Sequence, residues 1–442
     1  MIRRDRGKRG ARHAGASHDS TPFVVVRNNA LKQPGLRVSE QESHPGRPIS
    51  GSDWGYPRRS AVLIVSQATT EGVAVCLRDL IDAAVRSGYH VTVACPADGD
   101  LPVWAVDRGA VWERLEMRRT LHLSDIRAVA QVRRLAQSHG LVHLHSSKAG
   151  AIGRMALASL GRRRPPSVFT PHGWSWLVGG WLSPLYRLVE RILLPVTTAV
   201  VAVSDEERSS GLAALGARAT RIRVIPNGVD ISGFRPDGPA AARTDEPLVV
   251  SVGRLSYQRA PDVAVAALAR MRTPAARLRL VGDGAGRAKI ARQVSALGLD
   301  GRVELVGFRP DPAPDFRAAD VVIVPSRYDG MALVLLEAMA CGAAIVATRV
   351  AGASALDGVG ILVPTEEPAS LALAVDALLA DSVRRRELGI AARSRAVERY
   401  SLQRSLDGTV GLWQVLGAFP DSEPHETRIS GQTIPVVQKE VS

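Results

Sequence analysis

The feature that most constrains the fold is a regular alternation of short apolar runs with segments of helical periodicity, which begins at residue 61. The runs "AVLIVS" (61–66), "HVTVAC" (90–95) and "LVHLH" (141–145) are short enough to be buried strands. The runs "SVFT" (167–170) and "AVVAVS" (199–204) continue the series. Strands and helices that alternate at this spacing form right-handed βαβ units around a parallel sheet.

The alternation stops near residue 226 and then resumes. The segment after this point is rich in Pro and Gly and has no helical period, so we interpret residues 227–246 as a linker. A second series of strand-like runs follows, at 248–253, 277–282, 303–307, 320–325 and 343–348. Residues 368–399 have a helical pattern. The chain is therefore expected to be an α/β protein with two doubly wound, Rossmann-like domains.

These patterns divide the chain into six segments. We expect residues 1–59 to be a disordered basic extension and residues 419–442 to be a loose tail, because neither has apolar periodicity. Between them lie an N-terminal domain (60–226), the linker, a C-terminal domain (247–400), and a helix (401–418) that we expect to pack back on the N-terminal domain.

Composition and charge narrow the possible partners. The formal net charge of +14 indicates an anionic partner, which would be nucleic acid, anionic lipid or a phosphorylated substrate. Half of this charge lies in residues 1–59, which hold twelve Lys or Arg and five Asp or Glu. Three widely spaced cysteines argue against a disulfide framework or a structural zinc site, so we expect a reducing cytoplasm. We find no signal peptide pattern and no run of about 20 uncharged apolar residues that could span a membrane.

Polar residues follow two strands of the second series, at the edge where doubly wound sheets bind ligands. Arg254 and Arg259 lie between a strand and a helix, and Asp329 and Glu337 follow the run at 320–325. Two guanidinium groups beside helix N-termini are suited to a diphosphate. A pair of surface-exposed arginines would give the same pattern. The glycines of "LVGDGAGR" (280–287) lack the dinucleotide-binding spacing and fit an ordinary turn as well.

Three histidines follow or end strands of the first series. His143 and His145 lie on the same face of one strand with no acidic residue nearby, which argues against a metal site, and His172 follows the next strand. The segment "DGD" (98–100) has the form of the Asp-x-Asp metal clamp of some nucleotide-sugar enzymes. A polar loop is the better interpretation, because the segment is remote in sequence from the arginines.

Taken in order, these segments resemble those of one enzyme family. The sequences "HLHSSKAGAIGR", "TPHGWSW", "RIRVIPNGVD", "SVGRLSYQRAPD" and "PSRYDGMALVLLEAMACG" look like glycosyltransferase family 4, the retaining nucleotide-sugar transferases of the GT-B fold. The resemblance covers residues 61 to about 415. It implies two domains that face each other across a cleft, the first binding the acceptor and the second binding the nucleotide sugar.

The resemblance also implies roles for individual residues. Asp329 and Glu337 match the family's acidic pair, whose second member binds the nucleotide ribose and whose first contacts the donor sugar. Arg254 and Arg259 match the basic positions that hold the leaving diphosphate, so no metal or other cofactor is expected. His172 matches the histidine that approaches the transferred sugar from the opposite domain. The remaining implied positions are Gly253, Gly282, Asp283 and Gly330 for the nucleotide, and Gly72, Ser147 and Lys148 for the acceptor.

The sequence departs from the family pattern in ways that bear on activity. Asp329 replaces the usual Glu, and Arg259 replaces the usual Lys, whose ammonium is not equivalent to a planar guanidinium. The N-terminal loop "SQATTEGVA" has only Gly72 where the family is often glycine-rich, and the acidic residue expected after "VAG" is delayed to Asp357. A catalytically impaired, transferase-like partner subunit therefore remains an alternative.

The expected donor is a UDP- or GDP-sugar, and the expected acceptor is a polyprenyl-linked or other cell-envelope saccharide. We expect docking on an anionic membrane, at the inner face of the plasma membrane, through aromatic and basic residues of the first domain, with ordinary core as the competing interpretation. These residues are Trp174, Trp176, Trp181, Tyr186, Arg187, Arg191, Arg118, Arg119 and Arg162 to Arg164. A pI of about 10.5 also raises nucleic-acid binding, but no aromatic and basic platform supports it and we do not expect it.

Overall fold

The computed structural model describes residues 57–118, 122–177, 180–216 and 221–421, which contain two parallel sheets flanked by helices. The two doubly wound α/β domains predicted from the sequence are confirmed. Three parts of the sequence predictions lie outside the described residues. They are the basic extension up to residue 56, the side chain of Arg119 and the tail from residue 422. No helix within the described part of the chain is long and apolar enough to cross a bilayer.

The first sheet has seven parallel strands in the order β3-β2-β1-β4-β5-β6-β7. The strand Leu141–His145 in the middle of the sheet is buried along its whole length, because helices cover both faces. The strand order reverses between β1 and β4, and the carboxyl ends of the strands at such a point form a crevice. The strands are β1 (Ala61–Ser66), β2 (His90–Cys95), β3 (Val111–Arg114), β4 (Leu141–His145), β5 (Ser167–Thr170), β6 (Ala199–Ala202) and β7 (Ile222–Val224).

Six helices connect these strands. The first of them buries Ala74, Leu77, Ile81 and Ala84, a spacing of three or four residues that places one apolar stripe against the sheet. The sixth begins where the Ser204 side chain accepts a hydrogen bond from the backbone N–H three residues later. The helices are α1 (Glu71–Arg86), α2 (Leu101–Asp107), α3 (Ser124–Ala136), α4 (Ser147–Ala158), α5 (Ser183–Leu193) and α6 (Asp205–Leu215).

The second sheet has six parallel strands in the order β10-β9-β8-β11-β12-β13. The order again reverses beside its first strand, so this domain has its own crevice at the carboxyl edge. The strands are β8 (Leu248–Val252), β9 (Arg277–Val281), β10 (Val303–Gly307), β11 (Val321–Val324), β12 (Ile345–Thr348) and β13 (Ile361–Val363). The helices are α7 (Pro261–Leu268), α8 (Arg287–Ala296), α9 (Ala313–Ala318), α10 (Leu333–Ala340), α11 (Pro368–Ala380) and α12 (Ser382–Arg399).

A last helix, α13 (Leu402–Val415), packs on the first domain. Its Trp413 is fully buried and meets Tyr89 edge to face, with 5.6 Å between ring centroids. The Tyr89 hydroxyl donates to the carbonyl of Ala418 at 3.2 Å. The chain passes between the two domains twice, near Val229 and near Tyr400. These two segments lie side by side, and Val229 N donates to Tyr400 O at 2.8 Å.

Residues 368–399 are helical as predicted, but they form two helices, α11 and α12, because Asp381 leaves the helical conformation and its side chain caps Arg384 N at 2.8 Å. One other sequence prediction differs from the structure. The assignment of Trp174 and Trp176 to an interfacial surface is wrong. Their rings are buried and stacked, with 4.5 Å between centroids, and Trp174 Nε1 donates to the carbonyl of Glu207 at 2.7 Å.

Candidate active site

A cavity of about 290 Å³ lies between the carboxyl edges of the two sheets. The first domain lines it with the loop after β1, with Asp98 after β2 and with His172 after β5. The second domain lines it with the loops after β8 and β11 and with Leu333 at the start of α10. Each of these loops begins where a buried parallel strand ends, so the fold brings residues that are distant in sequence to one place.

Two arginines follow β8 and reach this cavity. Arg259 forms an ion pair with Asp329, and its Nη1 donates to Ser326 Oγ at 3.3 Å. Arg254 forms an ion pair with Glu71 of the opposite domain. Its Nε is buried without a hydrogen-bond partner in the described part of the chain. A buried donor on a guanidinium group that lines a cavity is suited to an anionic ligand.

The two loops that carry these charges are joined by hydrogen bonds. Arg327 N donates to Gln258 O at 2.9 Å, and Gln258 Nε2 donates to Tyr328 O at 3.2 Å. Asp329 is held by its own loop, since its Oδ1 accepts from Gly330 N at 2.9 Å. The acidic and basic groups of the second domain are therefore fixed relative to each other.

Glu337 lies one turn after Leu333 on the same face of α10. Burial raises the pKa of its carboxyl to about 7, although the Arg259 guanidinium opposes this shift. Glu337 is four residues from Leu333 and is not among the residues that line this cavity. A carboxyl with this pKa exchanges its proton near neutral pH and can accept hydrogen bonds from hydroxyl groups.

Glycines allow close backbone packing at the implied nucleotide positions. Gly253 and Gly282 have φ values of +153° and +142°, and a Cβ on Gly282 would overlap the carbonyl oxygen of Gly253. Asp283 is exposed next to them, and its Oδ1 accepts from Gly284 N at 2.7 Å. The loops after β8 and β9 can therefore pack against each other beneath the arginines.

Gly330 belongs to the second domain but contacts the first. A Cβ at this position would lie 3.0 Å from Gly173 N and 3.1 Å from the carbonyl carbon of His172. Contacts of this length are tighter than most that real side chains make. The cleft is therefore closed at this point by backbone lying against backbone.

His172 lines the cavity from the first domain and has a left-handed φ of +54°. Its Nε2 lies 3.0 Å from His145 Nδ1, and the His145 ring lies 3.9 Å from that of His143. Burial lowers the pKa of His172 to about 4, that of His143 to about 3, and that of His145 well below its usual value. All three imidazoles are therefore neutral at pH 7.

Among the implied acceptor positions, the structure brings only Gly72 and His172 to the cavity. A Cβ on Gly72 would lie 3.8 Å from Leu333 Cδ1. Ser147 and Lys148 begin α4 and do not line the cavity, and Lys148 Nζ lies 2.9 Å from Asp125 Oδ1. Their placement at the acceptor side of this cavity is therefore not supported.

Sequence analysis did not assign two charged residues of the cavity wall, Glu71 and Asp98, to the site. Glu71 lines the cavity and has a left-handed φ of +64°. The sequence offers one signal for it, because its loop lacks the glycines that the family often has at this place. The segment of Asp98, which the sequence favours as a polar loop, lies at the cavity because Asp100 N donates to Thr69 O at 3.0 Å. Within the described residues, no three His, Cys, Asp or Glu side chains converge to hold a metal ion.

Two protein families match the chain. Residues 70–232 match the family described as Glycosyltransferase Family 4, and residues 246–381 match the family described as Glycosyl transferases group 1. A D-inositol 3-phosphate glycosyltransferase of Nocardia farcinica is 33% identical over 323 residues, which cover 65% of this chain and 70% of that protein. The protein of that name from Mycobacterium bovis is 29% identical over 413 residues, covering 83% of this chain and 84% of its own.

Solved structures share the fold. The structure of Anabaena HepE in complex with UDP has a TM-score of 0.69 at 24% identity and covers 80% of this chain and 100% of that one. Sucrose-phosphate synthase from Thermosynechococcus elongatus has a TM-score of 0.68 at 23% identity, covering 80% of this chain and 98% of that one.

Proposed function

Because this chain belongs to glycosyltransferase family 4 and is therefore a glycosyltransferase, we propose that it transfers a sugar from a UDP- or GDP-sugar with retention of anomeric configuration and without a metal ion. The observation that carries this proposal is the convergence of Arg254 and Arg259 with His172 of the other domain at one cavity.

The arginines are the proposed binding site of the donor diphosphate. The unpartnered Nε of Arg254 supports this role, and an oxygen of the diphosphate would give it an acceptor. Arg259 is already oriented by Asp329, so little side-chain entropy is lost when an anion binds. Two fixed cations can stabilise the charge that develops on the leaving diphosphate, which is the role of a metal ion in other transferases. The UDP and UDP-glucose complexes of Anabaena HepE support UDP as the nucleotide.

For the transfer step we propose attack on the same face of the sugar. The bond between the anomeric carbon and the phosphate oxygen breaks, the bond to the acceptor oxygen forms, and the departing phosphate oxygen takes the acceptor proton. The neutral state of His172 supports this assignment, because a hydrogen-bonding imidazole can contact sugar hydroxyls without adding charge. We propose that Asp329 contacts the donor sugar and that Glu337 accepts hydrogen bonds from the ribose.

We propose a cell-envelope saccharide as the acceptor, without a phosphate near the reacting hydroxyl. The curated relatives are named for inositol 3-phosphate, whose phosphate needs cations to bind it. In the described residues, the charged side chains that the first domain gives to the cavity wall are those of Glu71 and Asp98. These carboxylates would repel a phosphate, which supports an acceptor that presents hydroxyl or amino groups.

We further propose that α5 docks on an anionic membrane that carries a polyprenyl-linked acceptor. Three apolar side chains on one face of this helix are exposed, at 51% for Leu185, 52% for Leu188 and 64% for Ile192. Trp181 precedes the helix and is 88% exposed, and Arg187 and Arg191 lie among the apolar residues. An amphipathic helix with cations beside its apolar face is suited to the interface of anionic lipid.

The test of the donor site is a calorimetric titration with UDP, GDP and ADP in the presence of a chelator, repeated on Glu337→Ala. We expect one nucleotide to bind without divalent metal and the variant to lose this binding. Binding only with added metal would contradict metal independence, and no binding of any nucleotide would contradict the donor site.

The test of the membrane surface is pelleting with vesicles of anionic lipid. We expect the protein to pellet at low salt, to be released at high salt, and to lose pelleting in Leu188→Glu. Leu373 of α11 is 54% exposed and provides the matched control, Leu373→Glu, which should pellet normally. Equal pelleting of both variants would contradict docking through α5.

A further inference from the structure

The turn that carries His172 has a left-handed backbone conformation. His172 has a φ of +54°, which is uncommon for non-glycine residues, although histidine adopts it more often than most other types. The next residue, Gly173, lies against Gly330 of the opposite domain. A turn of this kind persists only where its surroundings fix it, so the groups that fix it also determine where the imidazole ring lies.

One of these groups is the carboxylate of Glu207, which is fully buried on α6. Its Oε1 accepts from Gly173 N at 2.6 Å and its Oε2 accepts from Val203 N at 2.6 Å. Both bonds go to backbone N–H groups, so they fix the main chain rather than another side chain. The carboxylate therefore joins the turn after β5 to the end of β6.

The other group is the ring of His145, which is 3% exposed at the end of β4. Its Nδ1 lies 3.0 Å from His172 Nε2, so one nitrogen donates to the other. His145 Nε2 is buried and has no partner among the described residues. It adjoins a cavity of about 60 Å³ that Asn227 and Thr170 also line, and a cavity of this size with a few polar groups on its wall can hold water.

The ring of His145 packs against the ring of His143, which is held by two hydrogen bonds. Trp413 Nε1 can only donate, so His143 Nδ1 accepts from it at 3.3 Å. The proton of a neutral His143 is then on Nε2, which donates to Thr170 Oγ1 at 2.9 Å. The His143 ring is therefore fixed between α13 and β5, and His145 packs against it.

We propose that His145 and Glu207 are positioning residues for His172, and that together they hold the His172–Gly173 turn against Gly330 so that the imidazole reaches the donor sugar. This inference rests on the proposed function for the role of His172. Neither residue lines the 290 Å³ cavity between the domains, so each acts through the turn and not by contact with substrate.

The test uses two amides that place their polar atoms differently. In His145→Asn the amide lies where Nδ1 was and can keep the bond to His172, whereas in His145→Gln it lies where Nε2 was and cannot. We expect His145→Gln to lower kcat about 100-fold, the effect of a displacement of about 1 Å, with an unchanged KM for the donor. His145→Asn should retain most of kcat. Glu207→Gln, which loses one of the two backbone bonds, should resemble His145→Gln.

The matched control is His139→Asn. His139 is a buried histidine just before the opposite end of β4, where its ring nitrogens contact Leu135 O and Thr92 Oγ1. This variant removes a buried imidazole of the same domain but should leave kcat unchanged. An unchanged kcat in both His145→Gln and Glu207→Gln would overturn the proposal, as would equal losses in the Asn and Gln variants of His145.

Nitrogen NMR of histidine-labelled protein gives a readout that does not require activity. The ring signals of His172 should shift in His145→Gln and stay in place in His145→Asn. An absence of any shift in His145→Gln would overturn the proposal. If the unsubstituted protein transfers no sugar, the proposed function fails, while the NMR comparison still decides whether His145 positions His172.

Discussion

The two walls of the cavity differ in charge and in the way they are held. The wall from the second domain carries two arginines, and Asp329, which pairs with Arg259, is held by a hydrogen bond from Gly330 of its own loop. The wall from the first domain carries a neutral imidazole and two carboxylates, Glu71 and Asp98. At this cavity the arginine side chains therefore belong to the wall of the second domain, while the wall of the first domain favours uncharged or cationic groups.

The walls also make one direct ionic contact, between Glu71 and Arg254. The carboxylate of the first wall thus pairs with a cation that the donor diphosphate would use. The difference in charge between the walls therefore draws the domains together and also sets up competition between Glu71 and the donor.

The substitution Arg259→Ala should weaken the charged wall most severely. It removes one of two cations from this wall and leaves Asp329 without its ion-pair partner. We expect sugar transfer to fall about 10²- to 10³-fold, as for the loss of one preorganised donor. Arg243→Ala is the control, because Arg243 pairs with Asp320 at 2.7 Å just before β11, at the opposite edge of the same sheet. Equal losses in the two variants would contradict the assignment.

The substitution Gly330→Ala separates the walls without changing their charge. Its Cβ would press on Gly173 N, so the turn that carries His172 must move away. Because the neighbours need to move by less than the 1 Å that costs about 10²-fold, we expect kcat to fall about 10-fold while affinity for the nucleotide stays unchanged. In the described part of the chain, a Cβ on Gly301 of the same domain would have nothing within 4 Å, so Gly301→Ala should have no effect. An unchanged kcat in Gly330→Ala would contradict the close contact of the walls.

The substitution Glu71→Gln removes the competing anion. Because the side chains of Arg254 and Glu71 are 34% and 43% exposed, solvent screens the interaction and the effect is small. We expect UDP to bind about two- to fivefold more tightly in a calorimetric titration. Asp98→Asn removes a negative charge from the same wall without breaking an ion pair and should change the affinity less.

The dependence of stability on pH should have opposite signs for two buried groups, His139 of the first domain and Glu337 of the second. Burial lowers the pKa of His139 in the first domain to about 4, so its contribution to stability is present above pH 6.5 and is lost as the pH falls towards 4. The effect is about 1.4 kcal/mol per pH unit for one proton. Glu337, with its pKa raised to about 7, acts oppositely, because its contribution is present below about pH 4.5 and is lost as the pH rises to 7.

Urea unfolding between pH 4.5 and 6.5 measures this difference. His139→Asn should make the rise of stability with pH less steep, and Glu337→Gln should make it steeper. The same direction of change in both variants would show that burial does not shift the two groups as described.

Much of the fold could be predicted from the sequence. The predicted GT-B fold is confirmed. It could be predicted because buried strands such as β1 are continuous apolar runs, a pattern that few other structures accommodate. The strands β3, β7 and β13 are not predicted, since they are short and only partly buried. The predicted surface position of Trp174 and Trp176 is wrong, because the composition of a segment does not show whether its tryptophan rings face solvent or pack in the core.

The candidate site could be predicted only in part. Arg254 and Arg259 stand at a strand end, which is a local signal that the sequence displays. The contact of Glu71 with Arg254 joins residues 183 positions apart in different domains, and no local pattern indicates it. The same holds for His145, whose bond to His172 depends on the register of β4 beside β5.

The division of roles between the walls can be tested by a calorimetric titration of UDP, without divalent metal, into Arg254→Ala and His172→Ala, with sugar transfer measured in parallel. We predict that Arg254→Ala loses both UDP binding and transfer, whereas His172→Ala binds UDP like the unsubstituted protein and loses only transfer. A loss of UDP affinity in His172→Ala as large as that in Arg254→Ala would contradict this division.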